Sequence, residues 1–238
     1  MSNLCLNDNL VSEYLKYISN SNFDKNLLKK LLKYIQPFLV SKNQHKIFLD
    51  PAFPMQINND PLLKIIADCS EDDLVKATSL KIQLIENNPS KSFVELSINP
   101  LLANSEKLDM TLGATFENSI GKDKANKHIK DLLSDAKWIK ITDNYIEYDS
   151  NQWNENKNIL QNILPRLNID IRIACGSFTK KNDLKTIYSD WNIKSENINQ
   201  NIHDRYIETD KVKILLSSGL YNLSTNSQKD FTYMVKIK

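Results

Sequence analysis

KWIKITDNYI, residues 137–146, decides the fold, because a run with the composition of a buried strand passes directly into polar turn residues. The pattern predicts a strand that ends in the turn. Helical patterns lie on both sides: KANKHIKDLLSDA at 124–136, and NENKNILQNILPRL at 154–167, which Pro165 interrupts. A strand between two amphipathic helices is typical of βαβ units.

The same alternation continues to the end of the chain. IDIRIAC at 169–175 predicts a second strand and KNDLKTIYSDW at 181–191 a helix. Three further strand-like runs follow, at 202–208, 212–218 and 231–237. Strands that alternate with helices indicate a largely parallel sheet.

The first half of the chain has a different pattern. Apolar spacing predicts helices over 3–19 and 24–40, the second capped by Asp24. The remaining predicted elements are a strand at 46–50, a helix at 61–69 and strands at 80–86 and 92–98. We therefore predict an α/β protein with a helical and small mixed region at 1–119, followed by an α/β/α domain with a central mixed sheet at 120–238. The first region would be either an interaction region or a degenerate half.

Composition excludes several classes of protein. The 238 residues are 41% hydrophobic and 25% charged, which is typical of a globular protein with a core. The net charge of +2 does not require a nucleic acid or an anionic membrane as partner. The three cysteines have no paired spacing, and no apolar run reaches the ~20 residues of a membrane span. These features predict a reducing, cytoplasmic location with no disulfide framework and no zinc cluster, and no cofactor is expected.

HDRYIETD, residues 203–210, carries the residues best suited to phosphate chemistry. If 202–207 is a strand, His203 and Arg205 lie on one face, roughly 7 Å apart. The guanidinium can donate to phosphate oxygens, and a neutral imidazole can attack phosphorus or move a proton. The alternative is an ordinary hairpin, with Arg205 in solvent and paired with Asp204 or Glu208.

The pattern His203-x-Arg205-x4-Asp210, followed by LLSSGLYN at 215–222, resembles the His-x-Lys-x4-Asp motif of the phospholipase D superfamily and its downstream polar segment. AKWIKITDNYI and IDIRIACGSF resemble the first two strands of one family repeat. The resemblance covers about residues 120–238, close to one repeat. In this chain Arg205 stands where the family has Lys.

The resemblance implies a metal-independent mechanism through a phosphohistidine. His203 would be the nucleophile, Arg205 would hold the phosphate, and Asp210 would match the motif Asp. The downstream segment would supply substrate-binding residues: Ser217, Ser218 and Asn222. A second catalytic histidine would have to come from another chain or be absent, since His45 does not fit the motif spacing and His128 is predicted on a solvated helix face.

Asp143 and Tyr145 follow the strand predicted at 137–146, at the edge where parallel strands place ligands. They either line the site or form an ordinary turn.

Two functions follow from these residues. The first is a phosphodiesterase, a nuclease acting as a homodimer, with a place in bacterial phage defence. The second is a catalytically inactive module that binds a phosphate-bearing ligand, nucleic acid included, or a protein partner through the N-terminal region. Both predict that Arg205→Ala weakens anion binding strongly and changes stability little.

Overall fold

The computed structural model describes residues 4–34, 37–48, 60–87, 95–98, 107–108, 112–116, 119–199 and 203–238. The chain divides into two compact units, Met1–Met110 and Thr111–Lys238. Helices and strands occur in both units, which confirms the predicted α/β class. Among the described residues, no helix combines the length and the apolar character that a bilayer crossing requires.

A five-stranded parallel sheet forms the N-terminal unit, in the order β3-β2-β1-β4-β5. Its strands are β1 (Leu4–Leu6), β2 (Phe38–Ser41), β3 (Leu63–Ile66), β4 (Gln83–Ile85) and β5 (Glu95–Ser97). Its helices are α1 (Asp8–Ile18), α2 (Lys25–Leu31), α3 (Lys42–Phe48) and α4 (Glu71–Ala77). The predicted cap is confirmed, because the Asp24 carboxylate accepts from the backbone N–H groups of Asn26 and Leu27.

Several predictions for this unit are wrong. Strands occupy 4–6, 38–41 and 63–66, where helices were predicted. Residues 46–48, predicted as part of a strand, belong to α3, and residues 49–50 of that prediction lie outside the described residues. Every residue of β1 and β2 is buried. A short strand covered on both faces shows no alternation, so its apolar run is easily merged into a neighbouring helical pattern.

An eight-stranded mixed sheet has the order β10-β9-β8-β11-β12-β13-β7-β6. The strands are β6 (Lys107–Leu108), β7 (Leu112–Phe116), β8 (Trp138–Thr142), β9 (Asp170–Cys175), β10 (Asn192–Asn197), β11 (Arg205–Thr209), β12 (Val212–Leu216) and β13 (Phe231–Ile237). β8, β9 and β10 are parallel, whereas β11, β12, β13 and β7 continue the sheet in antiparallel fashion. The helices of this part are α5 (Ser119–Leu133), α6 (Ser150–Ile163), α7 (Lys181–Lys185) and a 3-10 turn at Leu220–Leu223.

The C-terminal elements were predicted more accurately, with two differences. α7 ends at Lys185, six residues before the end of the predicted helix, and the strand β10 follows at Asn192–Asn197, where no strand was predicted. Its sequence, NIKSEN, contains one apolar residue, as an edge strand can tolerate. The two compact units divide at 110/111, and β7, the first strand that lies wholly in the second unit, pairs with β13.

His128 is not on a solvated face, contrary to the prediction. It is fully buried on α5, and its Nδ1 lies 2.7 Å from the Tyr233 hydroxyl on β13. The Tyr233 ring also stacks on Phe116 of β7, with 5.9 Å between ring centroids. The helical face that carries His128 therefore packs toward the sheet, and the histidine serves as a satisfied polar group of the core.

Candidate functional site

The sheet topology brings the end of β8 and the start of β11 to one edge. Asp143 directly follows β8, and its backbone N–H donates to the Ala174 carbonyl at 3.1 Å. β11 runs antiparallel to β8, so Arg205, its first residue, lies at the same edge. Arg205 Nε lies 3.2 Å from Asp143 Oδ1. This ion pair replaces the partners Asp204 and Glu208 that a simple surface hairpin would give Arg205.

The Asp143 carboxylate is fully buried. Burial raises its pKa above the ordinary value, while the Tyr145 N–H and the Arg205 guanidinium oppose this by favouring the charged form. The Tyr145 N–H donates to Oδ1 at 2.9 Å. Oδ2 accepts no hydrogen bond of normal geometry within the described part of the chain, although the Leu220 backbone N–H also lowers the pKa of this carboxyl. Arg205 is therefore the cation on which this buried carboxylate depends.

The Arg205 guanidinium is held on two sides. Its Nε faces Asp143, and its Cζ lies 5.2 Å from the centroid of the Tyr145 ring. The side chain keeps 24% of its surface exposed. No hydrogen bond from its two Nη groups to a described residue is present, so these donors remain available to an anion.

Arg205 borders an open pocket of about 260 Å³. The other lining residues are Tyr145, Tyr148, Gln152 and Tyr221. Tyr148 is 73% exposed. Gln152 donates a hydrogen bond to the Tyr145 carbonyl, which fixes the turn after β8. The pocket therefore combines one cation with three tyrosine rings.

Gly219 allows the polypeptide to pass close to this pocket. A Cβ atom at this position would lie 2.7 Å from Cε1 and 2.9 Å from Cδ1 of the Tyr221 ring. The nearest Asp143 oxygen would be 3.8 Å away. A side chain at 219 would therefore displace Tyr221 from the pocket wall.

His203 precedes β11 and is not part of the strand, contrary to the prediction. It is exposed, and its ring lies 6.3 Å from the Tyr145 ring at an interplanar angle of 15°. No carboxylate or other hydrogen-bond partner of the imidazole is present in the described residues. His203 and Arg205 are thus brought together by their shared contact with Tyr145, and not by strand alternation.

Asp210 lies at the opposite end of β11 from Arg205. Its Oδ1 accepts from the Lys137 backbone N–H at 2.9 Å. The five residues of β11 separate the two ends by roughly 17 Å. Asp210 therefore ties the β11–β12 turn to the start of β8 and does not join Arg205 at the pocket.

The predicted downstream residues are not among those that line the pocket. Ser217 is exposed, and its hydroxyl accepts from the Thr232 N–H at 3.1 Å. Asn222 is buried and accepts from the Ser227 hydroxyl at 3.0 Å. Ser218 is half-buried, and its hydroxyl oxygen has no hydrogen-bond partner among the described residues.

Of the predicted residues, the structure brings Asp143, Tyr145, His203 and Arg205 together. Sequence reasoning missed Tyr148, Gln152 and Tyr221 as pocket residues. Only their positions in the sequence could have indicated this role. Tyr148 and Gln152 follow the turn at Asp143, and Tyr221 lies within the polar segment at 215–222. Among the described residues, no group of three or more His, Cys, Asp or Glu side chains could hold a metal ion.

Comparisons with known proteins leave the family open. No protein-family model matches the chain, and no curated protein sequence matches it. Among solved structures, the chain is similar to TrmBL2, an archaeal chromatin protein described as showing a novel mode of DNA binding. The similarity covers 53% of this chain and 45% of that one, with 10% identity and a TM-score of 0.27. The chain thus spans less than half of TrmBL2, and a similarity this low carries no argument about fold or function.

Proposed function

We propose that the C-terminal unit is a phospholipase D-like domain that binds a phosphate-bearing ligand at the Arg205 pocket. The observation that carries the proposal is the pairing of Arg205 with the buried Asp143. The carboxylate fixes Nε and leaves both Nη groups for an anion, so the guanidinium is already oriented before the ligand arrives. Preorganisation of this kind lowers the entropy cost of binding.

The tyrosines favour a ligand that carries an aromatic group besides the phosphate. Tyr145, Tyr148 and Tyr221 line the pocket together with Arg205. Tyrosine rings can stack on a nucleobase while the guanidinium holds the phosphate. A nucleotide or a nucleic-acid end would use both features, whereas inorganic phosphate would use only the guanidinium.

Isothermal titration with a 5′-mononucleotide and with inorganic phosphate tests this proposal. In the test variant Asp143→Asn is combined with Arg205→Gln, so that no buried charge is left without a partner. Loss of a charge-assisted hydrogen bond costs roughly 1.5–3 kcal/mol, which corresponds to a ten- to hundred-fold weaker affinity.

Lys181→Gln is the control for the loss of one cation away from the pocket, because Lys181 is exposed at the start of α7. It should bind both ligands like the parent protein. Equal affinities of the parent and the double variant for both ligands would contradict the proposal.

A second candidate function is phosphodiester cleavage, and the position of His203 favours it. Its exposed ring has no hydrogen-bond partner in the described residues and shares Tyr145 with Arg205. The imidazole nitrogen could attack phosphorus while Arg205 neutralises charge on the phosphoryl oxygens, giving a phosphohistidine that water then hydrolyses. The proton for the leaving oxygen would come from His203 of a second copy, so the nuclease would act as a homodimer. A role in phage defence belongs to this candidate.

Cleavage of labelled single- and double-stranded nucleic acids in EDTA distinguishes the two candidates. A nuclease should lose activity in His203→Ala while its binding of mononucleotide falls much less. A parent protein that binds but leaves every substrate intact would be a recognition module. Cleavage that persists at parental rates in His203→Ala would exclude His203 as nucleophile.

A further inference from the structure

The strand register aligns one side chain from each of six neighbouring strands into a line across the C-terminal sheet. We call this line the cation row. From β10 to β13 it consists of Lys194, Arg172, Lys140, Glu208, Lys213 and Lys236. Five of these six residues are cations. At about 4.8 Å between strands, the row is roughly 24 Å long.

The cation row lies on the solvent-facing side of the sheet. Residues next to it along the strands, such as Ile171, Ile207 and Val235, are buried. The row residues themselves are exposed or half-buried. Arg205 pairs across the sheet with the buried Leu216 and so belongs to the opposite side of β11. The row is therefore a surface separate from the Arg205 pocket.

Three of the cations form no ion pair with a carboxylate of the described residues. On this side of the sheet, Glu196 pairs with Lys140 at 2.6 Å and Asp170 with Lys194 at 2.8 Å. Glu208 pairs with Lys238 at 3.3 Å. No ion pair to a described residue involves the remaining cations, Arg172, Lys213 and Lys236. A polyanion crossing the sheet would meet this excess of positive charge.

Apolar and aromatic side chains form a second line beside the cation row. Tyr206, Leu215 and Met234 are aligned across β11, β12 and β13. Leu215 is 38% exposed and Met234 is 45% exposed. The Lys213 ammonium lies 3.8 Å from the centroid of the half-buried Tyr206 ring. Charged side chains thus lie beside one aromatic and two aliphatic side chains on the same side of the sheet.

We propose that this open sheet face binds single-stranded nucleic acid. The phosphates would follow the cation row, and unpaired bases would pack on Tyr206, Leu215 and Met234. Single-stranded nucleic acid presents a charged backbone beside unpaired bases, and proteins bind it with cations that lie beside apolar and aromatic side chains. A duplex would use only the cations, because its bases are already stacked. This surface is independent of the ligand proposed for the pocket.

Fluorescence anisotropy of a labelled 20-nucleotide oligodeoxythymidine, titrated at several salt concentrations, tests the proposal. Each phosphate neutralised contributes a slope of about −0.7 to log affinity against log salt. Three unpaired cations predict a slope near −2 for the parent protein. Lys213→Glu combined with Lys236→Glu should reduce the slope by at least about 1.4 and the affinity at low salt by more than tenfold.

The matched control reverses two exposed lysines of α7, Lys181→Glu and Lys185→Glu, and should keep most of the parent affinity. Tyr206→Ala should weaken oligonucleotide binding about fivefold or more and leave binding of inorganic polyphosphate unchanged. Thermal unfolding of each variant should confirm an intact fold.

Three outcomes would overturn the proposal. The parent protein could fail to bind the oligonucleotide, or the two double reversals could weaken binding equally. The face could also bind polyglutamate or phosphatidylserine vesicles as tightly as the oligonucleotide, which would mark a general anion surface.

Discussion

Arg205→Ala is expected to lower the free energy of unfolding by up to about 3 kcal/mol at pH 7, because it leaves a buried carboxylate without its cation. This replaces the expectation from sequence that the change would affect stability little. Asp143 is fully buried and Arg205 is its ion-pair partner at 3.2 Å. Asp143→Asn should change stability much less, since the amide oxygen can still accept from Arg205. Urea denaturation of both single variants and the double variant measures the coupling.

The double variant Asp143→Asn/Arg205→Ala should recover most of the lost stability, because no charge is then buried alone. The pH dependence supplies a second check. Loss of Arg205 raises the pKa of Asp143 further above its ordinary value of 3.8, so the folded variant binds a proton that the unfolded chain has lost. The free energy of unfolding of the variant should therefore fall as pH rises from the unfolded-chain pKa of Asp143 to its higher folded-state pKa. In acid, below both pKa values, the stability of the variant should approach that of the parent protein. A deficit that stays constant with pH, or a double variant as unstable as Arg205→Ala, would contradict the account.

Tyr233→Ala is expected to cost about 3–5 kcal/mol of unfolding free energy, the range for truncation of a buried aromatic side chain. Tyr233 is 1% exposed in the middle of β13, and its ring stacks on Phe116. The change would also remove the hydroxyl that lies 2.7 Å from Nδ1 of the buried His128. Chemical denaturation followed by far-UV circular dichroism measures the loss.

Tyr233→Phe separates packing from hydrogen bonding and should cost only about 1–3 kcal/mol, the range for leaving a buried polar partner unsatisfied. Met234→Ala is the control on the other side of the same strand, because Met234 is 45% exposed. It should change stability by less than about 0.5 kcal/mol. A Met234→Ala loss as large as that of Tyr233→Ala would show that the open face is buried in solution.

The candidate site was partly predictable because two of its features are local. The pattern that ends a strand at Thr142 also places Asp143 and Tyr145 in the turn after it. The run 203–210 identified Arg205 as a cation on a strand, although that strand begins at Arg205 and not at residue 202. The partner of Arg205 could not be read from the run itself, since Asp143 lies 62 positions earlier and Asp204 and Glu208 were nearer in sequence.

By itself, the sequence determined the elements whose pattern is complete within a few residues. β13, β8 and α6 belong to this group, since alternation, a polar turn and the break at Pro165 are local signals. Only the tertiary structure decided the elements and contacts whose cause lies elsewhere in the chain. β1 and β2 are strands because each pairs with parallel strands on both sides, and His128 can be buried because its Nδ1 forms a hydrogen bond with the Tyr233 hydroxyl. The cation row likewise exists only through the register of six strands, because lateral hydrogen bonding aligns side chains that the chain keeps far apart.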